Sequence, residues 1–176
     1  LRSIRSDSLK NAAILCANPD GMLRGTRGNA RGVDLNRNFP SSNWSPDPVF
    51  YKSRENDPQD LALSPGSGPA SEPETRALLL LVDRMKPQAV ITLHSALACI
   101  DDLDCSFLAK QLSDRSALPL ERVSYTTLGS FGSWAQERRL NLVTYELEPA
   151  SPYELNDRHV PVQNDLQTGQ IDLEGP

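Results

Sequence analysis

Histidines are rare in this sequence, and long apolar runs are absent from it. It contains two histidines, His94 and His159, in 176 residues. Its longest apolar run, residues 77–82, is far shorter than the roughly 20 residues that a membrane-spanning helix needs. The sequence also has no block of basic residues, and its formal net charge is −5. Nucleic acids and anionic membrane surfaces are therefore not expected as partners.

Cysteine is scarce as well. The three cysteines, Cys16, Cys99 and Cys105, are an odd number and do not follow the spacing of metal sites. This pattern favours reduced thiols over a disulfide framework and indicates a cytoplasmic protein. A chain of this length can bury a core of its own and is predicted to form one domain.

Three apolar stretches have the length and composition of strands. Residues 12–17 run into the turn signal Asn-Pro-Asp-Gly at residues 18–21, which predicts a buried strand followed by a turn. Residues 89–93 form a continuous β-prone run and predict a central strand that is buried on both faces. Residues 142–147 predict a further strand.

Helix signals separate these strands. The capping-box pattern of Ser71 and Glu74 predicts a helix that ends before Pro87, and two more helical patterns cover residues 103–117 and 130–139. Strands that alternate with helices predict an α/β layered fold.

Two regions have little periodicity. Residues 40–70 are rich in proline, serine, aspartate and glycine and predict a long ordered surface loop, which in a compact domain is usually functional or disordered. Residues 151–176 predict an irregular, loosely attached C-terminal tail, with His159 on the surface.

Residues 24–40, which read RGTRGNARGVDLNRNFP, combine four arginines with three glycines. Glycine permits tight turns, and forked guanidinium groups offer paired donors to carboxylates and other oxyanions. In an acidic protein, a turn-rich and arginine-rich loop predicts a site for a small anionic ligand.

This loop, together with the Asn-Pro-Asp-Gly segment before it, resembles the zinc carboxypeptidase family. Three later segments fit the family in the same order: 71–75 (SEPET), 92–94 (TLH), and 129–134 (GSFGSW) followed by 144–146 (TYE). The resemblance extends to about residue 149 and is greatest to members that act in bacterial cell-wall recycling. It implies a mixed central β-sheet with helices on both faces, with residues 1–150 forming a partial catalytic domain.

The resemblance implies a catalytic Zn²⁺ ion, which needs three protein ligands and a water molecule. His94 matches the third ligand of the family. The other two come from a His-x-x-Glu motif upstream of the Asn-Pro-Asp-Gly segment, but no histidine precedes Asn18. Truncation, supply of the motif as a separate piece, and an inactive metal-free protein all remain open. The start at Leu1, within a helix-like segment, favours truncation, so this chain alone is expected to be inactive and to bind zinc weakly.

Roles for the arginine-rich loop also follow from the resemblance. Arg27 is expected to polarise the scissile carbonyl and stabilise the oxyanion. Asn36 and Arg37 are expected to bind the free carboxylate of the substrate. Asp34 is expected to accept a hydrogen bond from the first zinc-binding histidine and so orient its ring. From the residues alone, solvated turn residues or a helix cap are the alternatives.

Three further residues match positions of the family site. Glu146, at the end of an apolar strand, matches the general base, although strand alternation leaves Glu148 as an alternative. Tyr125 matches a mobile tyrosine that closes over the substrate carboxylate, with an ordinary half-buried aromatic as the alternative. Gly132 matches the specificity position and leaves room for a long polar side chain such as diaminopimelate.

The leading hypothesis is zinc-dependent hydrolysis of the γ-D-glutamyl-meso-diaminopimelate amide bond of small murein peptides. An ordinary metallocarboxypeptidase with another terminal-residue preference is the first alternative. The second is a metal-free, non-catalytic module that binds peptide carboxylates, which the missing His-x-x-Glu motif favours.

Overall fold

The computed structural model of the protein describes residues 9–51, 61–123 and 127–173. The chain divides into two compact units, each of which is assembled from separate stretches of the sequence. The sheet unit comprises Leu1–Ile14, Gln88–Tyr125 and Asn141–Pro176, and the loop unit comprises Leu15–Pro87 and Thr126–Leu140.

Within the described ranges, helices and strands alternate through much of the chain. The helices are α1 (Pro19–Arg24), α2 (Pro73–Met85), α3 (Phe107–Ser116), α4 (Phe131–Glu137) and α5 (Pro152–Thr168), with a 3₁₀ turn at Leu35–Arg37. The strands are β1 (Val49–Tyr51), β2 (Leu61–Leu63), β3 (Val90–Ser95), β4 (Cys99–Asp101), β5 (Leu120–Glu121) and β6 (Leu142–Leu147). In the part of the chain that is described, no helix is both long and apolar enough to cross a membrane.

The sheet unit is built on a four-stranded mixed sheet with the strand order β3-β6-β4-β5. β3 runs parallel to β6, β6 runs antiparallel to β4, and β4 runs parallel to β5. The predicted α/β class with a mixed sheet is therefore confirmed. Helices α3 and α5 contact each other and contribute to the core, which contains Ile100, Leu108, Leu112, Val143, Tyr145, Val162 and Leu166.

The prediction that residues 89–93 form a central strand buried on both faces is wrong. β3 lies at one edge of the described sheet, and the side chain of Leu93 is 56% exposed. An apolar, β-prone run specifies a strand, but its place in the sheet depends on which other strands pair with it.

The prediction of an irregular tail after residue 150 is also wrong. α5 begins with a capping box between Ser151 and Glu154 and ends at Gly169, which adopts a left-handed conformation with φ 69°. Its inward face carries Val162 and Leu166, which are 3% and 5% exposed. The helical spacing is present in the sequence, but an internal proline and many polar residues obscure it.

In residues 12–17 the structure has no strand, so the predicted buried strand is wrong. Ile14 and Leu15 are 52% and 73% exposed. The turn signal begins α1 instead, because Asn18 accepts a hydrogen bond from the backbone N–H of Gly21 and proline occupies the first helical position. A strand needs a neighbour to pair with, which a local apolar run does not supply.

The long predicted loop contains the antiparallel pair β1–β2. After it, α2 begins at Pro73 as the helix signal indicated, but its N-cap is Glu72 and the predicted capping box does not form. The three cysteines are all free, as the odd count indicated.

Candidate active site

In the sheet unit, His94 and Glu146 face each other across two neighbouring parallel strands. They are register partners near the carboxyl ends of β3 and β6, where open α/β sheets place their ligands. His94 Nδ1 lies 3.9 Å from Glu146 Oε1, and the side chains are 35% and 9% exposed. Oε2 of Glu146 is buried and accepts no hydrogen bond from any residue that the structure describes. A buried carboxylate oxygen without a donor is costly unless it serves a function.

The contacts of Glu146 differ from those of Glu148, the alternative base. Glu148 contacts His159 Nε2 through Oε2 at 2.8 Å and accepts a hydrogen bond from Arg158 through Oε1. Burial alone would raise the pKa of Glu148, but hydrogen bonds from the backbone and His159, together with the charge of Arg158, outweigh it and lower the pKa. Both oxygens of Glu148 are therefore engaged, whereas Glu146 keeps one oxygen available for proton transfer.

Cys99 is the antiparallel register partner of Glu146 on the other side of β6. The thiol is 2% exposed. Burial first, and then the nearby carboxylate of Glu146, raise the pKa of Cys99 to about 11. The neighbour of Glu146 on this side is therefore a neutral thiol at physiological pH.

In the loop unit, Asp34 organises the arginine-rich segment. Its Oδ1 accepts a hydrogen bond from the backbone N–H of Asn36 at 3.0 Å, which caps the 3₁₀ turn. Its Oδ2 accepts a hydrogen bond from Arg27 Nε at 2.9 Å. Asp34 is 3% exposed, while the Arg27 side chain is 38% exposed. A buried carboxylate thus orients a partly exposed guanidinium group.

Asn36 and Arg37 lie on the turn that Asp34 caps. The amide oxygen of Asn36 accepts a hydrogen bond from the backbone N–H of Phe131 at 2.9 Å, at the start of α4. Arg37 Nη1 donates to the carbonyl oxygen of Asn36 at 2.8 Å. The carbonyl oxygen of Arg37 packs so closely on Gly129, which has φ 61°, that a Cβ atom at that position would clash with it. Gly132, the predicted specificity residue, lies half-buried in α4.

A buried polar cluster, which the sequence did not reveal, holds this loop in place. Asn29 donates from Nδ2 to Glu72 Oε2 at 2.8 Å, and its Oδ1 accepts hydrogen bonds from the backbone N–H groups of Arg31 and Val33. Asn38, which is fully buried, accepts through Oδ1 from the backbone N–H of Glu72. The sequence alone does not identify these hydrogen bonds, because the two partners of each lie about 30 to 45 positions apart in the chain.

Tyr125 lies outside the described residues. His159 was predicted to be on the surface, but it is 4% exposed and contacts Tyr145 and Glu148, so that prediction is wrong. The burial follows from α5, which places His159 on its inward face.

The described residues supply part of a zinc site and do not complete it. His94 offers a partly exposed imidazole beside the Glu146 carboxylate, as expected of one zinc ligand with an adjacent base. A catalytic zinc ion needs three protein ligands, however. Across residues 9–51, 61–123 and 127–173, no three histidine, cysteine, aspartate or glutamate side chains form a group that could hold a metal ion.

A mixed α/β fold, a histidine and a buried glutamate on adjacent parallel strands, and a fixed arginine loop together are typical of metallocarboxypeptidases. The chain belongs to the zinc carboxypeptidase family, whose sequence profile matches residues 9–100. The predicted family and the predicted enzyme class are therefore confirmed.

The chain is similar to murein peptide amidases. It is 41% identical to murein peptide amidase A of Escherichia coli strain K12 over 162 residues, which cover 91% of this chain and 67% of that protein. It is 40% identical to murein peptide amidase A of Vibrio campbellii, covering 65% of that protein. The crystal structure of murein-tripeptide amidase from E. coli O157 superposes with a TM-score of 0.83, covering 88% of this chain and 66% of that chain. This chain therefore spans about two thirds of these relatives.

A more distant structure supports the fold alone. Carboxypeptidase A from Helicoverpa armigera is 18% identical, with a TM-score of 0.63. The matches to the amidases also extend past residue 150, since 91% of this chain is more than its first 150 residues. At least part of α5 therefore lies within the matched sequence.

Proposed function

We propose that this chain carries the general base and the substrate-binding residues of an amidase that hydrolyses the γ-D-glutamyl-meso-diaminopimelate bond of murein peptides. The observation that carries the proposal is the geometry of the Glu146 carboxylate. Its buried Oε2 atom has no hydrogen-bond donor among the described residues, and its Oε1 atom lies 3.9 Å from His94 Nδ1. The similarity to murein peptide amidases over 91% of the chain supports the choice of substrate.

Glu146 is the proposed general base. Its carboxylate accepts a proton from the attacking water and then delivers it to the leaving amine of diaminopimelate. Glu148 is not a candidate for this role, since both of its oxygens are engaged by α5 side chains. The neutral thiol of Cys99 places no additional negative charge next to the base.

Arg27 is the proposed stabiliser of the tetrahedral oxyanion. Fixed donors are most effective where negative charge develops, because they need not reorganise during the reaction. The hydrogen bond from Arg27 Nε to Asp34 fixes the plane of the guanidinium group in advance. Asp34 is accordingly a positioning residue for Arg27.

Asn36, Arg37 and Tyr125 are proposed to bind the free carboxylate of diaminopimelate. The hydrogen bond from Phe131 to the Asn36 side chain and the contact of Arg37 with the same turn support a preformed binding surface. A peptide that lacks the carboxylate would desolvate the guanidinium group of Arg37 without supplying a charge-assisted hydrogen bond in return, which disfavours binding of that peptide. Gly132 is proposed to leave room for the polar end of the diaminopimelate side chain.

His94 is proposed to be one ligand of a zinc ion whose other protein ligands are not among the described residues. In a hydrolase, such an ion lowers the pKa of a bound water molecule. Cytoplasmic localisation is also proposed, and the three free cysteines support it.

The test compares hydrolysis of L-alanyl-γ-D-glutamyl-meso-diaminopimelate with hydrolysis of hippuryl-type peptides. It uses the complete polypeptide encoded by the open reading frame that contains residues 1–176. Glu146→Gln should lower kcat by about 10²- to 10⁴-fold, the usual contribution of a general base. Glu121→Gln, at an exposed position of β5, is the matched control and should leave kcat unchanged. Faster hydrolysis of the hippuryl peptides would instead indicate an ordinary metallocarboxypeptidase.

A metal-free binding module is the second candidate, because the described residues contain no complete metal-binding group. Isothermal titration calorimetry with the murein tripeptide distinguishes the two candidates. Binding without any hydrolysis, unchanged by EDTA and by His94→Ala but lost in Arg37→Gln, would favour the module. Hydrolysis that EDTA abolishes would favour the amidase.

A further inference from the structure

A hydrogen-bonded chain of three buried or half-buried side chains connects α5 to β6. The hydroxyl of Tyr145 lies 2.7 Å from His159 Nδ1, and His159 Nε2 lies 2.8 Å from Glu148 Oε2. Tyr145 is completely buried and His159 is 4% exposed. Arg158, the residue before His159, donates to the other oxygen of Glu148. Neither the proposed chemistry nor the family resemblance assigns a role to this network.

The partners of His159 determine which ring nitrogen carries the proton. Burial raises the pKa of Tyr145, so its hydroxyl retains its proton and can donate. The pKa of Glu148 is lowered, so its carboxylate is ionised and can only accept. An imidazole that carries one N–H can accept at Nδ1 from Tyr145 and donate from Nε2–H to Glu148. All polar atoms of the ring are satisfied in this arrangement.

The network holds the chain both before and after Glu146 in the sequence. Tyr145 is the residue immediately before Glu146, and Glu148 follows two positions after it. Side chains alternate along a strand, so Tyr145 points away from the face that carries Glu146 and towards the core. A single imidazole on α5 thus fixes the strand before the proposed base and the chain just after it.

We propose that His159 is a positioning residue for Glu146, which it holds in place through Tyr145 and Glu148. This inference rests on the proposed role of Glu146 as the general base. The physical reason is that few contacts of its own hold the Glu146 side chain. In the described part of the chain Oε2 has no hydrogen-bond donor, and Oε1 lies 3.9 Å from His94 Nδ1. The position of its carboxylate then depends on the backbone of β6.

Two substitutions of His159 remove the two halves of the network separately. The amide of His159→Gln reaches the position of Nε2 and keeps a donor for Glu148, but it removes the acceptor for Tyr145. The amide of His159→Asn lies near Nδ1 and keeps a partner for Tyr145, but it loses Glu148. Tyr145→Phe removes the hydroxyl alone. Tyr153→Phe is its matched control, since Tyr153 is 81% exposed on the same helix.

Displacement of a catalytic group by about 1 Å can cost about 100-fold in rate. We therefore expect His159→Gln and Tyr145→Phe to lower kcat on the murein tripeptide by about 10- to 100-fold, with KM changed less than about twofold. The kcat of His159→Asn should fall less than that of His159→Gln, because His159→Asn retains the contact with Tyr145, the residue next to Glu146. Circular dichroism establishes that each variant is folded at the assay temperature. Unchanged kcat in folded His159→Gln and Tyr145→Phe would overturn the proposal.

A readout that does not depend on activity separates this proposal from the proposed function. The ¹³C resonance of the Glu146 carboxyl group, recorded at one fixed pH in the 176-residue chain, should shift in His159→Gln and Tyr145→Phe but not in Tyr153→Phe. The shift would support positioning even if the wild-type protein hydrolyses no murein peptide, which would refute the proposed function alone. An unchanged Glu146 resonance in the folded variants would refute positioning.

Discussion

Arg27 and Asp34 are joined by a hydrogen bond of 2.9 Å between Nε and Oδ2, and the other oxygen of Asp34 caps the turn that carries Asn36 and Arg37. One buried carboxylate therefore orients the proposed oxyanion-binding guanidinium group and begins the proposed carboxylate-binding turn. From the family resemblance, Asp34 was expected to serve a zinc-binding histidine instead. Its observed contacts give it a purpose that does not require that histidine.

Substitution of Asp34 should separate its two contacts. Asp34→Asn keeps an acceptor for the N–H of Asn36 but weakens the ion pair with Arg27, so kcat should fall about tenfold with little loss of stability. Asp34→Ala removes the cap as well and should also lower the free energy of unfolding by about 1 kcal/mol. Steady-state kinetics and urea unfolding measure the two effects. Equal unfolding free energies for the two variants would contradict the capping role.

Arg37→Lys should weaken binding of substrates that have a free terminal carboxylate. Lysine keeps the charge but lacks the planar fork that binds a carboxylate through two hydrogen bonds. Loss of a charge-assisted hydrogen bond costs about 1.5–3 kcal/mol, so KM should rise about 10- to 100-fold. The matched measurement uses the same peptide with a C-terminal amide. If Arg37→Lys weakened both peptides equally, Arg37 would not be the residue that recognises the carboxylate.

Cys99 should be unreactive in the folded protein. The thiolate is the reactive form, and burial raises the pKa of this thiol to about 11. Titration with Ellman's reagent at pH 8 should therefore modify Cys16 and Cys105, which are partly exposed, and should modify Cys99 only after unfolding in guanidinium chloride. Rapid labelling of Cys99 in the native state, located by peptide mass spectrometry, would contradict its burial next to Glu146.

Acid should destabilise the loop unit through Glu72. Burial alone would raise the pKa of this carboxyl group, but hydrogen bonds from Asn29 and Ser71, together with the charge of Arg31, lower it below its usual value. A lowered folded-state pKa adds stability that is fully present above the ordinary pKa of about 4.3 and is lost as the pH falls through the folded-state value. The free energy of unfolding should thus fall less steeply with acid in Glu72→Gln than in the wild type. Glu121→Gln, at an exposed position of β5, should retain the wild-type slope.

The 176-residue chain alone should bind Zn²⁺ weakly, and its binding should depend on His94. A single imidazole with one neighbouring carboxylate offers fewer ligands than the three protein groups of a catalytic zinc site. Isothermal titration calorimetry with Zn²⁺ should show weak binding that His94→Ala abolishes. Tight, stoichiometric zinc in the wild-type chain would contradict this prediction, and Tyr153→Phe, at a position that is 81% exposed, serves as the control.

Much of the site could be predicted because its residues are close together in the sequence or lie at strand ends. Strand β6 was predicted with the bounds that the structure shows, and Glu146 follows from a charged residue within an apolar strand. The turn of Asp34, Asn36 and Arg37 is local, since its capping contacts join residues two or three positions apart. The exposed edge at β3 and the helix α5 were missed, because both depend on contacts between distant segments.

The sequence by itself determined the family, the mixed α/β class, and the residue types available for catalysis, because motif order and local periodicity are properties of the chain. Tertiary structure alone decided that His159 is buried against Tyr145 and that Glu72 and Asn38 anchor the arginine loop. It also decided that Glu148 contacts His159 of α5 and that one oxygen of Glu146 has no hydrogen-bond donor within the described ranges. The reason is physical: the cost or benefit of a buried polar group depends on the partner that folding brings to it, and these partners lie from 11 to 34 positions away in the chain.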